Sequence, residues 1–394
     1  MQYKHTFLAS SLAFISASAL PVSTAFAVFD KLEPYAYVGL FNDSNIFRVE
    51  DDEDDDTITR LGAGVDVDYK LSRQHLVLDA ELERAEYDTF DDLSHTRVRA
   101  EGAWQWQVGS LWSGKLGYGY RDELASFDEF DTRVKDMRTT NYGFFDAGYQ
   151  VHPDFEVRAG VNLSETRYEE RDRLDRDTNS VSGEFLYRNT RNSRIGIRTK
   201  FVEQDLLNET VIAGQPVDND YDETEISAVV YWEGTGKSHL EARLGYTDLQ
   251  YEELDDRDFE GTTGRLSHIW FMSGKTRITT AIWRETDSRY DEIVTYVLSR
   301  GISVSPTWAA TPKITVRASV SAENSDFKGE NEIREALGVE DRDDDLWRVM
   351  LGATYAVTRN AGVSLSVSHS ERDSSIDNND YEVDQINAEA RMRF

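Results

Sequence analysis

Several residue types are absent from this chain or scarce in it. Its 394 residues contain no cysteine and only 6 prolines. The lack of cysteine excludes a disulfide framework, a thiolate metal site and a cysteine nucleophile. Basic residues are also scarce, since 43 Lys and Arg stand against 74 Asp and Glu, a formal net charge of −31. Because phosphate binding needs a surplus of basic residues, we expect no nucleic-acid partner.

Long apolar runs are confined to the N-terminus. Lys4 precedes an apolar stretch from Phe7 to about Leu20, and Ala25–Ala27 has the small residues of a cleavage site. This pattern predicts a secretory signal peptide over residues 1–27. The rest has no run of about 20 apolar residues, so a helical membrane protein is excluded. It also has no linker-like segment, which favours one continuous domain over residues 28–394.

The remaining sequence is rich in aromatic residues and alternates in polarity. Phe, Trp and Tyr make up 11% of the chain, too many for a disordered acidic protein. In Leu61–Lys70, and again in Val98–Val108 and Ile314–Ser321, every second residue is apolar and the residues between are polar or small. The pattern predicts β-strands with one apolar face. A soluble sandwich would show the same alternation, so the alternation alone leaves the fold open.

The connections between the strands decide the fold class. We count about 18 strands, joined alternately by short and long segments. This segregation predicts an all-β transmembrane antiparallel β-barrel, with short periplasmic turns, long acidic extracellular loops and a location in the bacterial outer membrane. The short turns are expected at residues 72–74, 109–110, 152–154, 190–193, 234–237, 273–275, 310–312 and 358–360. The long loops include residues 42–56, 122–136, 169–177, 205–223, 252–260 and 323–345.

Two features of the aromatic residues agree with a membrane barrel. Six of the 8 tryptophans fall near a predicted short turn on the apolar face of a strand, as in an aromatic girdle at one membrane interface. The last strand alternates up to a C-terminal aromatic residue, Phe394, which resembles the signal recognised by the barrel-assembly machinery. The six tryptophans are Trp104, Trp106, Trp112, Trp232, Trp270 and Trp308.

The face opposite the lipid is predicted to line a pore. An open sheet edge in hydrocarbon would leave backbone groups unpaired, so the sheet must close, and about 18 strands enclose a lumen wide enough for water. Pairing across strands is one expectation for the charged residues of this face, and contact with a charged or hydroxyl-rich solute is the other. The pore-lining candidates are Arg97, Arg99, Lys115, Arg158, Arg188, Arg198, Lys200, Arg243, Arg317, Arg348, Asp66, Asp68, Glu81 and Glu101, with Tyr231 and Phe271 as aromatic candidates for stacking on sugar rings.

Two short segments resemble a known family. Phe41–Arg48, which reads Phe-Asn-Asp-Ser-Asn-Ile-Phe-Arg, is similar to the aromatic-Asp-Asp-Asn-Leu-Phe-Arg signature of exopolysaccharide-operon outer-membrane barrels of the beta-barrel porin-2, EpsL-like type. Ser44 replaces an acid and Ile46 a leucine. Trp308–Pro312 and the alternating segment after it resemble the same family's Trp, short Thr-Pro turn and next strand. The resemblance implies a barrel that works with polysaccharide synthesis and export machinery.

The histidines give no pattern that predicts catalysis. Only six follow the signal peptide, and neither their spacing nor the acid run Asp51–Asp56 matches a catalytic or calcium-binding motif. We therefore expect a protein that is not an enzyme, with no metal and no cofactor. The main functional expectation is a conduit for exopolysaccharide export. The alternatives are a general or oligosaccharide-specific uptake porin and a structural or adhesive surface barrel. Expected partners are outer-membrane lipid, lipopolysaccharide, the barrel-assembly machinery, the transported polysaccharide and periplasmic export proteins.

Overall fold

The computed structural model describes most of the mature chain. The described residues are 31–128, 133–191, 193–208, 210–212, 215–253, 258–287, 296–328, 342–376 and 379–394. The predicted signal peptide lies outside them. This part of the chain contains 20 strands and two single-turn 3-10 helices, Asp91–Leu93 and Asp172–Leu174. None of the helices it contains is long and apolar enough to cross a membrane.

Eighteen of these strands form one sheet and are each 12 to 16 residues long. A tilted strand of about 9 to 11 residues crosses the hydrocarbon core, so each of the eighteen is long enough to span it. The strands are β1 (Lys31–Asp43), β2 (Asp56–Leu71), β3 (Gln74–Tyr87), β4 (His95–Val108), β5 (Trp112–Leu124), β6 (Met137–His152), β7 (Phe155–Tyr168), β8 (Arg176–Arg188), β9 (Arg194–Leu206), a separate hairpin of β10 (Thr210–Ile212) and β11 (Gln215–Val217), β12 (Tyr221–Thr235), β13 (Ser238–Tyr251), β14 (Phe259–Trp270), β15 (Thr276–Asp287), β16 (Tyr296–Ala309), β17 (Ile314–Lys328), β18 (Asp343–Ala356), β19 (Ala361–Ser374) and β20 (Tyr381–Arg393).

The sheet is closed and antiparallel. Each long strand pairs with its neighbours in the chain, β9 pairs with β12, and β1 pairs with both β2 and β20. The closing pair runs from Tyr35 opposite Arg393 to Asp43 opposite Gln385. Closure gives every strand two hydrogen-bonded neighbours, as a sheet in hydrocarbon requires. The predicted antiparallel barrel of about 18 strands is confirmed.

The connections are segregated by length, as the sequence predicts. All eight predicted short turns join consecutive strands on one rim, and the predicted long loops join strands on the other. Several loops are shorter than expected, because β5 runs to Leu124, β9 to Leu206 and β17 to Lys328. Near the long-loop rim the strands leave the hydrocarbon, so backbone pairing continues where the alternation of apolar residues has ended.

The outward face is apolar and the inward face polar. Leu61 on β2 is 63% exposed, while its neighbours Arg60 and Gly62 face inward. Five of the six girdle tryptophans are exposed on the outward face near the short-turn rim. Trp106 is half-buried there and stacks on Phe145, with ring centroids 6.3 Å apart.

Candidate functional site

The inner wall formed by β3 and β4 carries paired charges. The guanidinium of Arg97 lies 2.8 Å from a carboxylate oxygen of Glu81 and 3.5 Å from one of Glu83. Arg99 pairs with Asp79 on β3 at 2.5 Å. Asp66 on β2 faces the same Asp79 across the strand pair. In the register of β3 and β4, Arg97 is opposite Glu83 and Arg99 is opposite Glu81, an arrangement of opposite charges that stabilises a sheet. Asp66 and Asp79, by contrast, are two acids opposite each other.

A second cluster is centred on Glu156, which is 3% exposed. Its carboxylate bonds Arg158 at 2.9 Å, forms an ion pair with Arg188 and has Arg194 at 3.9 Å. Arg158 also pairs with Asp146 on β6. Three arginines around one buried carboxylate fix the strands β6 to β9 to one another through the inner face.

A third group of pairs lies on β9 to β15. The guanidinium of Arg243 contacts Glu225 at 2.5 Å and also contacts Glu285. Glu285 accepts a second bond, from Arg265, at 2.9 Å. Arg198 lies 3.8 Å from Glu184, and Lys200 lies 3.8 Å from Glu223. These last two cations face the interior, and both have a carboxylate partner on the wall.

Aromatic rings lie across glycines on the inner face and reach acids two strands away. The hydroxyl of Tyr37 on β1 donates to Glu83 on β3 at 2.6 Å, and its ring covers Gly62 on β2. A Cβ at Gly62 would overlap this ring. Tyr35, Gly64 and Glu81 repeat the arrangement, with a hydroxyl-to-carboxylate distance of 2.9 Å. On β15 to β17, Trp283 covers Gly301 and donates to Glu323 at 3.1 Å.

The two predicted stacking residues are placed differently from the expectation. Tyr231 faces inward, but its hydroxyl donates to Glu184 at 2.9 Å and the Arg194 guanidinium covers its ring at 4.7 Å. Phe271 lies beyond the end of β14, 38% exposed at a short turn, and packs edge-on against His239. Neither residue presents a free ring face on a strand of the inner wall.

The other predicted lining residues lie near both charged and aromatic groups. Lys115 lies 4.5 Å from the ring centre of Phe144, and Glu101 lies 3.7 Å from Arg121. Asp68 contacts His75 at 2.8 Å and Lys70 at 3.6 Å, close to the short-turn rim. The sequence prediction missed some further cations of the inner face, although continued alternation along their strands places them inward. They are Arg60, Arg121, Arg194, Arg265 and Arg277.

Arg317 and Arg348 differ from the other predicted cations. Among the described residues neither has a carboxylate within ion-pair distance, and Arg317 donates only to Thr354, at 3.2 Å. Around them, β16 to β19 point serines into the lumen, such as Ser305 and Ser319, whose hydroxyls are 2.9 Å apart. The inner wall thus has a hydroxyl-rich sector next to sectors of paired charge.

The segment Phe41–Arg48, which carries the family-like motif, folds at the long-loop rim. Asn45 is fully buried and bonds the backbone of Val49 at 2.6 Å and of Glu382 at 3.1 Å. Phe47 packs edge-on between Phe90 and Phe127 of two other loops. The motif therefore holds three loops and the last strand together at the outer mouth.

Ion pairs reinforce this contact between loops. Arg48 bonds Asp43 at 2.8 Å and Asp128 of another loop at 3.2 Å. Burial raises the pKa of Asp128, but Arg48, Arg348 and Arg372 outweigh it and hold that pKa below its ordinary value. Arg372 on β19 also donates to the backbone oxygen of Asp128 at 2.9 Å. The loop after β5 therefore reaches the inner face of a strand on the far side of β1.

One group in the described part of the chain has metal-ligating side chains close together. His369, Glu382 and Asp384 bring one imidazole nitrogen and two carboxylate oxygens within 4.8 Å. The cluster faces outward, and the imidazole already bonds Asp384 at 2.9 Å. Ser368 and Ser370, next to His369 in the sequence, point to the opposite face of the sheet. Neither serine hydroxyl therefore lies beside the His369 imidazole, so the sequence neighbours do not form a nucleophile and its base.

The comparisons with known proteins agree with this geometry. The crystal structure of OccK1 (OpdK) from Pseudomonas aeruginosa matches with a TM-score of 0.50 and 12% identity, over 93% of this chain and 100% of that one. OccK2 (OpdF) from the same organism matches with a TM-score of 0.50 and 11% identity, over 92% and 98%. At these identities the matches show the fold alone. No curated protein matches the chain.

A sequence profile of the family described as "Putative beta-barrel porin 2" matches residues 31–394. The match places the barrel in the bacterial outer membrane and supports the expectation that the protein is not an enzyme. Because it covers nearly the whole chain, the protein belongs to the beta-barrel porin 2 family.

Proposed function

We propose that this outer-membrane barrel is an uptake porin for small polar solutes, including sugars. The observation that carries the proposal is the polar inner face of a closed 18-stranded sheet, on which most charges are fixed to the wall in pairs. Paired charges keep the lining hydrated without presenting a strong field of one sign. Such a lining suits diffusion of hydroxyl-bearing solutes.

Export of an exopolysaccharide is the alternative that the motif resemblance implies. The family match supports a porin barrel and does not assign a polymer to it. The motif residues support loop packing at the mouth, through Asn45 and Phe47, which any barrel with long loops can use. We therefore favour uptake and treat export as the competing outcome of the experiment.

A deletion strain separates the two functions. If the barrel is an uptake porin, the deletion slows entry of a labelled oligosaccharide at low external concentration and leaves surface polysaccharide unchanged. Reintroducing the wild-type gene restores entry. Loss of surface polysaccharide, with polymer retained in the envelope and normal sugar entry, would reject uptake in favour of export.

A further inference from the structure

The hydroxyl-rich sector contains a continuous patch without carboxylates. It consists of three inward-facing residues from each of five neighbouring strands, namely the first, third and fifth residue of each range. The ranges are 277–281 on β15, 303–307 on β16, 317–321 on β17, 348–352 on β18 and 366–370 on β19. Of these 15 positions, nine are Ser or Thr, three are Arg and none is Asp or Glu. We name it the arginine–serine patch.

Two of its arginines lie in one row. Arg277 is opposite Thr307, and Thr307 is opposite Arg317, so one threonine separates the two guanidinium-bearing positions. Among the described residues Arg277 has no side-chain partner, and Arg317 has only the Thr354 hydroxyl. By contrast, Arg97, Arg158 and Arg243 elsewhere on the wall each contact two carboxylates.

Unneutralised cations are unusual in this setting. Arg317 is half-buried and Arg277 is exposed. A half-buried charge without a carboxylate partner is costly, and a chain with a net charge of −31 has many carboxylates to place beside both arginines. The hydroxyls of Ser303, Ser321 and Ser366 also make no side-chain hydrogen bond in the described part of the chain. The patch thus combines free guanidinium donors with free hydroxyls, which can donate and accept.

We propose that the arginine–serine patch is a binding site for saccharides that carry a carboxylate. Guanidinium groups bind carboxylates through two parallel hydrogen bonds, and serines can replace the water around sugar hydroxyls. The patch extends about 13 Å along the strands and about 19 Å around the wall, the size of a short saccharide. A neutral sugar needs no unpaired arginine, whereas an anion entering an acidic protein needs local positive charge.

This inference rests on the proposed uptake function, and vesicle swelling tests both. The full barrel is reconstituted into lipid vesicles, and the osmotic swelling rates in glucuronate and glucose are compared. We expect the double variant Arg277→Gln with Arg317→Gln to lower the glucuronate-to-glucose ratio by about threefold or more, because charge-assisted hydrogen bonds to the carboxylate are lost. Heat-modifiable migration on a gel verifies that each variant is folded.

The matched control removes two inward arginines that already have carboxylate partners. Arg121 lies 3.7 Å from Glu101, and Arg265 lies 2.9 Å from Glu285. The variant Arg121→Gln with Arg265→Gln changes the lumen charge equally and should leave the ratio near the wild-type value. An unchanged ratio in the patch variant, or an equal fall in both variants, would overturn the binding site while the porin function stands. Wild-type vesicles that admit neither solute would reject the uptake function itself.

Discussion

Asp220 shows how a single carboxylate can couple a loop to pH. It lies directly before β12, and its side chain accepts the backbone N–H of Leu206 at 2.6 Å, joining the two ends of the loop that contains the β10–β11 hairpin. Burial, together with the nearby acids Asp218, Asp205 and Glu252, raises the pKa of Asp220 to about 6 against the effect of this hydrogen bond. The folded loop therefore binds a proton more tightly than the unfolded chain does.

The sign of this shift predicts that acid strengthens the loop. The contribution of Asp220 to stability is complete below the ordinary Asp pKa of about 4 and is lost as the pH rises through about 6. Hydrogen exchange of residues 215–222, corrected for intrinsic rates, should show more protection at pH 5 than at pH 7. Asp220→Asn should remove the difference and the exposed neighbour variant Asp222→Asn should keep it. The same pH dependence in Asp220→Asn would contradict the assignment.

Side chains on the two faces of a strand should differ in their tolerance of charge. Leu61 points into lipid and Ser364 on β19 points into the lumen. Leu61→Arg should cost about 2–4 kcal/mol of folding free energy, because the guanidinium is placed in hydrocarbon. Ser364→Arg should cost much less. Urea titration of the folded barrel in lipid vesicles measures both, and equal costs would mean that the faces are assigned wrongly.

At the scale of the strands, aromatic rings lying on glycines connect strands that do not touch through their backbones. Tyr37 on β1 reaches Glu83 on β3 only because Gly62 on β2 has no side chain in the way. Tyr35 with Gly64, and Trp283 with Gly301, use the same arrangement. Each of these side-chain contacts spans three strands, whereas backbone hydrogen bonds connect only two neighbouring strands.

A methyl group at Gly62 tests this arrangement. Gly62→Ala should destabilise the barrel by about 1–3 kcal/mol, because the new Cβ overlaps the Tyr37 ring and displaces its bond to Glu83. Adding Tyr37→Ala should make the same glycine change nearly neutral. Gly102→Ala is the control, since its nearest neighbour atom would lie 3.6 Å from the added Cβ. Unfolding titrations of these three variants and of Tyr37→Ala alone give the coupling, and additive effects would show that ring and glycine act independently.

The sequence predicts the strands and faces much better than it predicts the partners within a face. Alternation places Arg198, Lys200 and Tyr231 on the inner face, where the structure also has them. Alternation carries no information on register, so the partners Glu184 and Glu223 could not be deduced. The contact of Tyr37 with Glu83 spans two strands, and Asp128 reaches Arg372 through a loop, so neither follows from a local pattern.

At the scale of the whole molecule, the first and last strands pair to close the wall. β1 and β20 pair over nine positions, and the backbone N–H of Phe394 donates to the oxygen of Pro34 at 2.9 Å. The Phe394 side chain is 68% exposed on the outward face. It therefore adds little packing within the barrel and is free for recognition from outside.

Removal of Phe394 should separate assembly from stability. We predict that Phe394 carries the assembly signal that the last strand resembles, so that deleting it lowers the amount of barrel inserted in the outer membrane of living cells. The same chain refolded in detergent should unfold close to the wild-type denaturant midpoint, since one exposed ring is lost. Membrane fractionation and a refolding titration measure the two effects. Normal insertion of the shortened chain would rule out the signal role.

A closed, polar-lined barrel of 18 strands should let small solutes pass. The most direct test is osmotic swelling of vesicles containing the purified barrel in neutral sugars of increasing size. An open, water-filled lumen should give rapid swelling in a pentose, slower swelling in a disaccharide and none in a large dextran, with no swelling for heat-denatured protein. Folded, membrane-inserted barrels that admit no sugar of any size would contradict it.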